Sequence, residues 1–353
     1  MERDLPDVGY HQAMRLAFVV SSLLLLCPAV VRADASVTVT LTPEGRLIAA
    51  SQGSSPEQLA AEIKAEVDDA FQTNDVPGFL RSFTDATAFS QRGLAVDYVS
   101  VPSSFIIGLG GNAAISSKNL LEEDRPTAGV APNLGFMLGA NLAEMGLPRW
   151  TVYANGFYHS ASTDRLSGHL TSAGAHLQVK LIQPAGDSGA ARAFRWTGLD
   201  VTSGVEYTRW SLEARDALTN SFPTGAGATA VDMTMDSTGR FELGSNAVTV
   251  PVEASTGLRF LGILSVYAGA GIDFTAGKST VDAALTGAIR TTTGGVDVGS
   301  AQVNASGENT GSPAAMRALL GLQLNLWKLK IFTQGNVSQT PAASVSFGLR
   351  LVL

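Results

Sequence analysis

This sequence has little cysteine, little lysine and little charge, and beyond residue 33 it has no long apolar run. The one cysteine, Cys27, excludes a disulfide scaffold and a Cys-based zinc site. Six of the 24 basic residues are lysine and the net charge is −7. A chain that acidic has no general electrostatic attraction for nucleic acid, so no nucleic-acid partner is expected. No stretch of ~18 apolar residues follows residue 33, which excludes a transmembrane helix. Yet 45% of the 353 residues are hydrophobic and mean hydropathy is +0.17, which excludes a disordered chain. The chain is apolar without a helix to place in a membrane.

What is present begins with an export signal. Met14-Arg15 is followed by an almost wholly apolar run, Leu16 to Val31, and then by Ala33-Asp34-Ala35. Basic, apolar and small-residue segments in that order form a secretory signal peptide, here residues 1–33, cleaved after Ala33 or Ala35. Glu2, Asp4 and Asp7 suit a signal badly, which favours Met14 as the start. Leu26 precedes Cys27 where a lipoprotein signal carries a small residue. Cleavage leaves a thiol-free chain, suited to an oxidising compartment.

Residues 34–103 form an N-terminal segment of their own. Ser36 to Thr42 alternates like a short strand. Ser55-Pro56-Glu57-Gln58 opens a helix, with Ser55 as cap and Gln58 placed for a capping box. Leu59, Ile63, Val67, Ala70 and Phe71 then share one face, and Asn74 with Pro77-Gly78 is expected to end that helix. Phe79, Leu80 and Phe83 predict a further short helical turn. Two placements stay open, a periplasmic cap or a plug in a lumen. Residues 94–101 read as one more strand or a connector.

From residue 104 the period becomes two. Leu134, Phe136, Leu138 and Ala140 oppose Asn133, Gly135, Met137 and Gly139; Val345, Phe347, Leu349 and Leu351 oppose Ser344, Ser346, Gly348 and Arg350. Segments 170–182, 247–260 and 263–275 sort the same way, into strands with one apolar and one polar face. A soluble β-sandwich also alternates, but these segments are long enough to cross a bilayer at a tilt. Their polar files are mainly small and neutral, as in a lumen. Strands at about 104–112, 131–142, 149–158, 168–183, 193–212, 243–260, 263–275, 313–326, 329–338 and 342–353 make ten. Twelve follow if 36–43 and 94–101 join the wall. The links alternate between short ones (261–262, 327–328) and long ones (113–130, 213–242, 276–312), the last two free to fold as hairpin extensions. Short turns on one side and long loops on the other mark outer-membrane barrels. Trp150, Tyr158, Trp196, Tyr207, Phe260, Phe274 and Trp327 lie near strand ends, as in interfacial girdles.

On this pattern the signal segment and residues 104–353 resemble Gram-negative outer-membrane β-barrel proteins as a broad class. The resemblance implies an all-β transmembrane antiparallel barrel in the cell outer membrane, with outer-membrane lipids and barrel assembly machinery as partners. The closing SVSFGLRLVL looks like the last-strand signal that such machinery reads, departing from it in ending on Leu353.

Candidate chemistry is sparse, and no cofactor or metal pattern stands out. Gly108 to Ala113 matches G-x-G-x-x-A, but no helix follows to receive a pyrophosphate. His159, Asp164 and His169 lie in or beside one outer loop and are the only candidates for a hydrolase acting on lipid or peptide. Asp200, Glu206, Glu253 and Asp273 face a lumen shared with His176, Lys180, Arg259, Arg317 and Arg350. In a narrow barrel these charges must pair, either bracing the lumen or forming a constriction that selects solutes. The function expected is non-enzymatic: a narrow channel for a small solute, or a barrel binding an extracellular ligand through its outer loops. An outer-membrane hydrolase and a soluble secreted β-protein are the alternatives.

Overall fold

The two files of side chains become the two faces of one sheet. The computed structural model describes residues 32–51, 55–58, 60–61, 64–65, 75–100, 105–117, 128–183, 193–224 and 231–353. The expected signal segment, as far as residue 31, lies outside them. The strands are β1 Arg32–Leu41, β2 Phe105–Ser117, β3 Ala128–Leu142, β4 Leu147–Ser162, β5 Leu166–Ile182, β6 Phe194–Thr224, β7 Val231–Phe260, β8 Leu264–Thr291, β9 Asp297–Thr310, β10 Ala314–Leu326, β11 Leu329–Ser338 and β12 Ala342–Val352. Two helices, α1 Pro43–Ser51 and α2 Val76–Phe89, precede β2.

The faces are inverted relative to a soluble protein. Leu134, Phe136 and Leu138 are about half exposed, as are Val345, Phe347 and Leu349, while Asn133, Gln323, Gln334, Ser346 and Arg350 are buried. An apolar belt turned outward around a polar interior is stable only where the surroundings are apolar, so this is a wall built to face lipid. The wall closes on itself: β8–β10–β11–β12–β2–β3–β4–β5–β6–β7 returns to β8 through antiparallel pairing. The ring therefore has ten strands. Neither 36–43 nor 94–101 joins it. The first falls mostly in β1, which pairs with β9 above the ring, and the second, described as far as Ser100, carries no strand there and lies within the lumen.

The turns at one end are tight. Leu261 and Gly262 both take positive φ, 50° and 72°, the geometry that joins β7 to β8 without splaying them, and Trp327 turns β10 into β11. Phe105 and Leu353 meet at this same end through paired backbone bonds, Leu353 N–H donating to Phe105 O at 2.8 Å. Trp150, Trp196, Phe260 and Trp327 lie toward it.

At the other end the sheet keeps going. The spans expected as loops, 213–242 and 276–312, are largely strand, so β6, β7 and β8 rise out of the ring and are joined by β9 and β1. There the inner face turns apolar. Leu41, Met233, Met235, Ile289, Val298 and Ala301 bury together against Ile48 and Ala49 of α1. Thr42 caps α1, accepting from Gly45 N–H at 3.0 Å. Gly45 lies so close to the Val298 carbonyl that any Cβ would collide with it.

The predicted helix start at Ser55 is present: Gln58 N–H donates to Ser55 Oγ at 3.2 Å, and Ser55 N–H to Gln58 Oε1 at 2.8 Å. Its expected apolar face, Leu59 to Phe71, lies outside the described residues. Pro77-Gly78, expected to end that helix, instead opens α2. Asp75 accepts from Gly78 N–H at 3.1 Å, and proline is tolerated in a first helical turn because its missing N–H has no partner there. The short turn expected at Phe79–Phe83 is a 14-residue helix. Its Leu80, Phe83 and Ala86 pack on Ala131, Leu243 and Val281, seating it in the mouth of the ring.

Candidate functional site

Below α2 the chain runs the length of the lumen without regular structure. Residues 90–100 are anchored to the wall at successive levels. Gln91 donates to Tyr207 O at 2.6 Å and to Thr208 Oγ1 at 2.8 Å, and accepts from Asn155 at 2.9 Å. Arg92 pairs with Glu206 at 2.8 Å and with Asp273 at 3.2 Å. Leu94 lies against Gly110 and Gly135, where a Cβ would come within 3.1 and 3.2 Å of it. Gly110 of the G-x-G run thus leaves room for a chain inside. Asp97 folds back on its own segment, accepting from Val99 and Ser100 N–H, and its carbonyl accepts from Tyr153 and Gln178. Tyr98 stacks on Tyr267 at 5.3 Å. Ser100 accepts from Gln323 near the tight-turn end.

All nine charges picked from the sequence line this interior, seven of them buried and Lys180 and Arg259 half-buried. They form two clusters. In the upper one Arg317 pairs with Glu253 and with Asp273, the latter at 3.0 Å; His176 lies 3.6 Å from Glu206; and Arg92 joins Glu206 to Asp273. In the lower one Lys180 pairs with Asp200 at 3.0 Å. Arg350 reaches Asp97 at 3.8 Å, donates to Val96 O at 2.7 Å and lies over the Phe332 ring at 3.7 Å. Arg259 donates to Val99 O at 2.8 Å.

Sequence reasoning missed Arg92 and Asp97, the two charges that the plug itself supplies. Period-two sorting has no purchase on a coil. A signal was nevertheless present: two isolated charges in an otherwise uncharged run, Gly93 to Ser100 and its flank, in a chain whose lumen already needed partners. The arrangement is closely packed. Around Arg92, His176, Glu206, Glu253 and Arg317 the residual cavity is about 10 Å³, about one water's room.

His159, Asp164 and His169 are not assembled. His159 pairs in register with Leu170 and His169 with Ser160, so the two imidazoles project from opposite faces of the β4–β5 hairpin. Among the described residues no hydrogen bond joins either of them to Asp164, and His159 stacks on Phe157 at 6.3 Å.

The Lsa36-like family model matches residues 32–353. No curated protein matches the chain. Among solved structures it is similar to the translocator domain of the autotransporter NalP from Neisseria meningitidis, at 10% identity and TM-score 0.27, with 71% of this chain and 89% of that one covered. It is similar to the outer membrane protease OmpT from Escherichia coli at 9% identity and TM-score 0.34, covering 73% and 99%. The attachment invasion locus protein Ail of Yersinia pestis gives 10% identity and TM-score 0.22, covering 70% and 95%. These likenesses concern the barrel fold alone.

Proposed function

The chain belongs to the Lsa36-like family, and we propose from its own geometry that it is a non-enzymatic outer-membrane barrel, closed by its own residues 76–100. It acts through the sheet that rises beyond the ring. The observation that carries this reading is Arg92: a guanidinium buried mid-lumen between Glu206 and Asp273 belongs to a fitted core, not to a path for solutes. The nine wall charges are then bracing, not a selectivity filter. The tight turns face the periplasm, as in barrels of this type, and the long extension with β1, α1 and β9 faces outward, where a barrel's binding surfaces lie.

Planar-bilayer recording tests it. The mature chain gives no steady conductance, and a variant lacking residues 34–100 does. Steady conductance from the intact chain would return the lumen charges to the role of a constriction. An epitope inserted at Gly294-Gly295, in the β8–β9 turn, is stained on intact cells; staining only after permeabilisation would reverse the orientation. A chain that stays in solution without detergent would instead be the soluble β-protein.

A further inference from the structure

One seam of the wall is joined over only half its height. Pairing between β3 and β4 runs up to Phe136–Gly156 and stops. Above it, β3 from Gly135 to Ala128 pairs with β2 alone, and β4 from Phe157 to Ser162 pairs with β5 alone. The alternation of burial in β4 fails at the same place: Thr151, Tyr153 and Asn155 are buried, whereas Tyr158 to Ser162 are exposed on both faces. Two carbonyls of the freed β3 edge are met by side chains from beyond β4. Ser172 Oγ donates to Leu134 O at 3.4 Å and Trp210 Nε1 to Pro132 O at 3.1 Å. Pro132 has no N–H to leave unpaired.

The inward file changes character at that level. Asn155, Ser172 and Thr208 are polar and buried; the next positions up are Phe157, Leu170 and Trp210. Between the parted edges lies a groove of about 650 Å³ that runs from Ala113 and Leu134, on the outer face, around the β3 edge to Phe157, Leu170 and Trp210. Its size is that of a small-molecule site, about 300–1,000 Å³.

We infer that this groove takes the acyl chain of a membrane lipid. It is continuous with the lipid-facing belt, since Leu134 and Phe347 line it and are 46% and 65% exposed. It is apolar where a lumen is otherwise polar. His159, Ser162 and Thr163 stand among its lining and supply polar groups for a headgroup. Size alone does not single it out: β10, β11 and β12 carry an apolar concavity of about 560 Å³ at Leu320, Leu322 and Val345. There, however, the strands pair without a break. What marks the first groove is a seam opened inward and lined to match. The inference rests on the wall being lipid-facing.

The test uses the mature protein in phosphatidylcholine vesicles doped with a phospholipid carrying a diazirine on its acyl chain, irradiated and mapped by mass spectrometry. Label on Phe157, Leu170 and Trp210 is expected at about ten times that on the β10–β12 concavity, the ratio of about 1.4 kcal/mol of preference. Filling the groove with Ala113→Phe and Gly168→Leu is expected to bring it down to the level of the concavity. Gly168 admits a side chain, the nearest atoms to its Cβ position being 3.6 and 3.7 Å away. Equal labelling of the two surfaces in the unmodified chain overturns the inference without any variant having to fold, as does groove labelling that survives the filling. No label on either surface overturns the lipid-facing wall, and the inference with it.

Discussion

Arg92 stands out among the charges of the lumen because it is the cation that the inner segment, and not the wall, supplies. Among the described residues, Glu206, Glu253 and Asp273 sit on the wall with Arg317 as their only wall guanidinium, and Arg92 completes the set from the plug. Burying charge is costly unless it is paired, and removing one partner of a buried pair costs about 3–5 kcal/mol. Arg92→Met should therefore unseat residues 90–100 by that order. Hydrogen exchange of this segment reads it, with the wall strands unchanged; unaltered protection would show that packing alone holds the plug. Arg92→Lys should recover part of the loss, since one ammonium keeps the charge but cannot serve two carboxylates as a guanidinium does.

A second residue-scale outcome concerns Asp85 of α2, which accepts from Ser312 N–H at 2.6 Å and Ser312 Oγ at 2.9 Å. Burial raises its pKa above the ordinary 3.8, against the pull of the Ser312 bonds and Arg81. A carboxyl with a raised folded pKa contributes most below its unfolded value and loses that contribution as pH climbs through the folded one. Protection of α2 should fall over that window, and Asp85→Asn should remove that step alone. The wall side of this site was legible in the sequence because strand alternation assigns every residue a face. Arg92, Asp97 and Gln91 were not, because a coil carries no period and its contacts are set by the ring around it.

At the scale of elements, the sheet changes solvent partway along its strands. Within the ring β7 turns Val248, Val252 and Leu258 out and Thr249, Glu253 and Ser255 in; above the ring it turns Met233 and Met235 inward onto a hydrophobic core. The ring's strands were readable from uninterrupted alternation, and their tight-turn ends fell within about two residues of the observed ones. The extension was not. There Gly, Asp, Ser and Thr share both files, and its stability comes from α1 packing on it rather than from any local pattern. Gly45 is the point of closest approach. Gly45→Val should push α1 off β9 at a cost of about 1–3 kcal/mol, the usual range for overpacking. Faster exchange in α1 and β9 with an unchanged heat-modifiable barrel would confirm it, and uniform loss of stability across the ring would contradict it. Pro77-Gly78 teaches the same lesson in reverse. The pair punctuates the chain in either direction, and only Asp75, capping from the N-terminal side, makes it a start.

For the whole molecule the path of the chain matters more than the strand count. β1 and α1 lie on the extension at the long-loop end, α2 fills the mouth, residues 90–100 descend the lumen, and β2 begins beside Leu353 at the tight-turn end. The N-terminal segment thus stands on the far side of a wall that is built from the chain after it. A ring closed first would have to be threaded afterwards by α1 and α2. A ring that closes on the segment, with β12 joining β2 last, needs no such passage, and the buried pairs of Arg92 with Glu206 and Asp273 then form as the wall does. The orientation has a direct readout. Leu47 of α1 is 73% exposed, and the chain left after cleavage holds no cysteine, since Cys27 lies in the expected signal. Leu47→Cys should react with a membrane-impermeant maleimide on intact cells, at a rate unchanged by permeabilisation. A cysteine at Lys328, in the tight turn after Trp327, should react only once the outer membrane is breached. The opposite pattern would place α1 in the periplasm and make residues 34–100 an inner cap. Reaction of both on intact cells would mean that the ring does not separate two compartments at all.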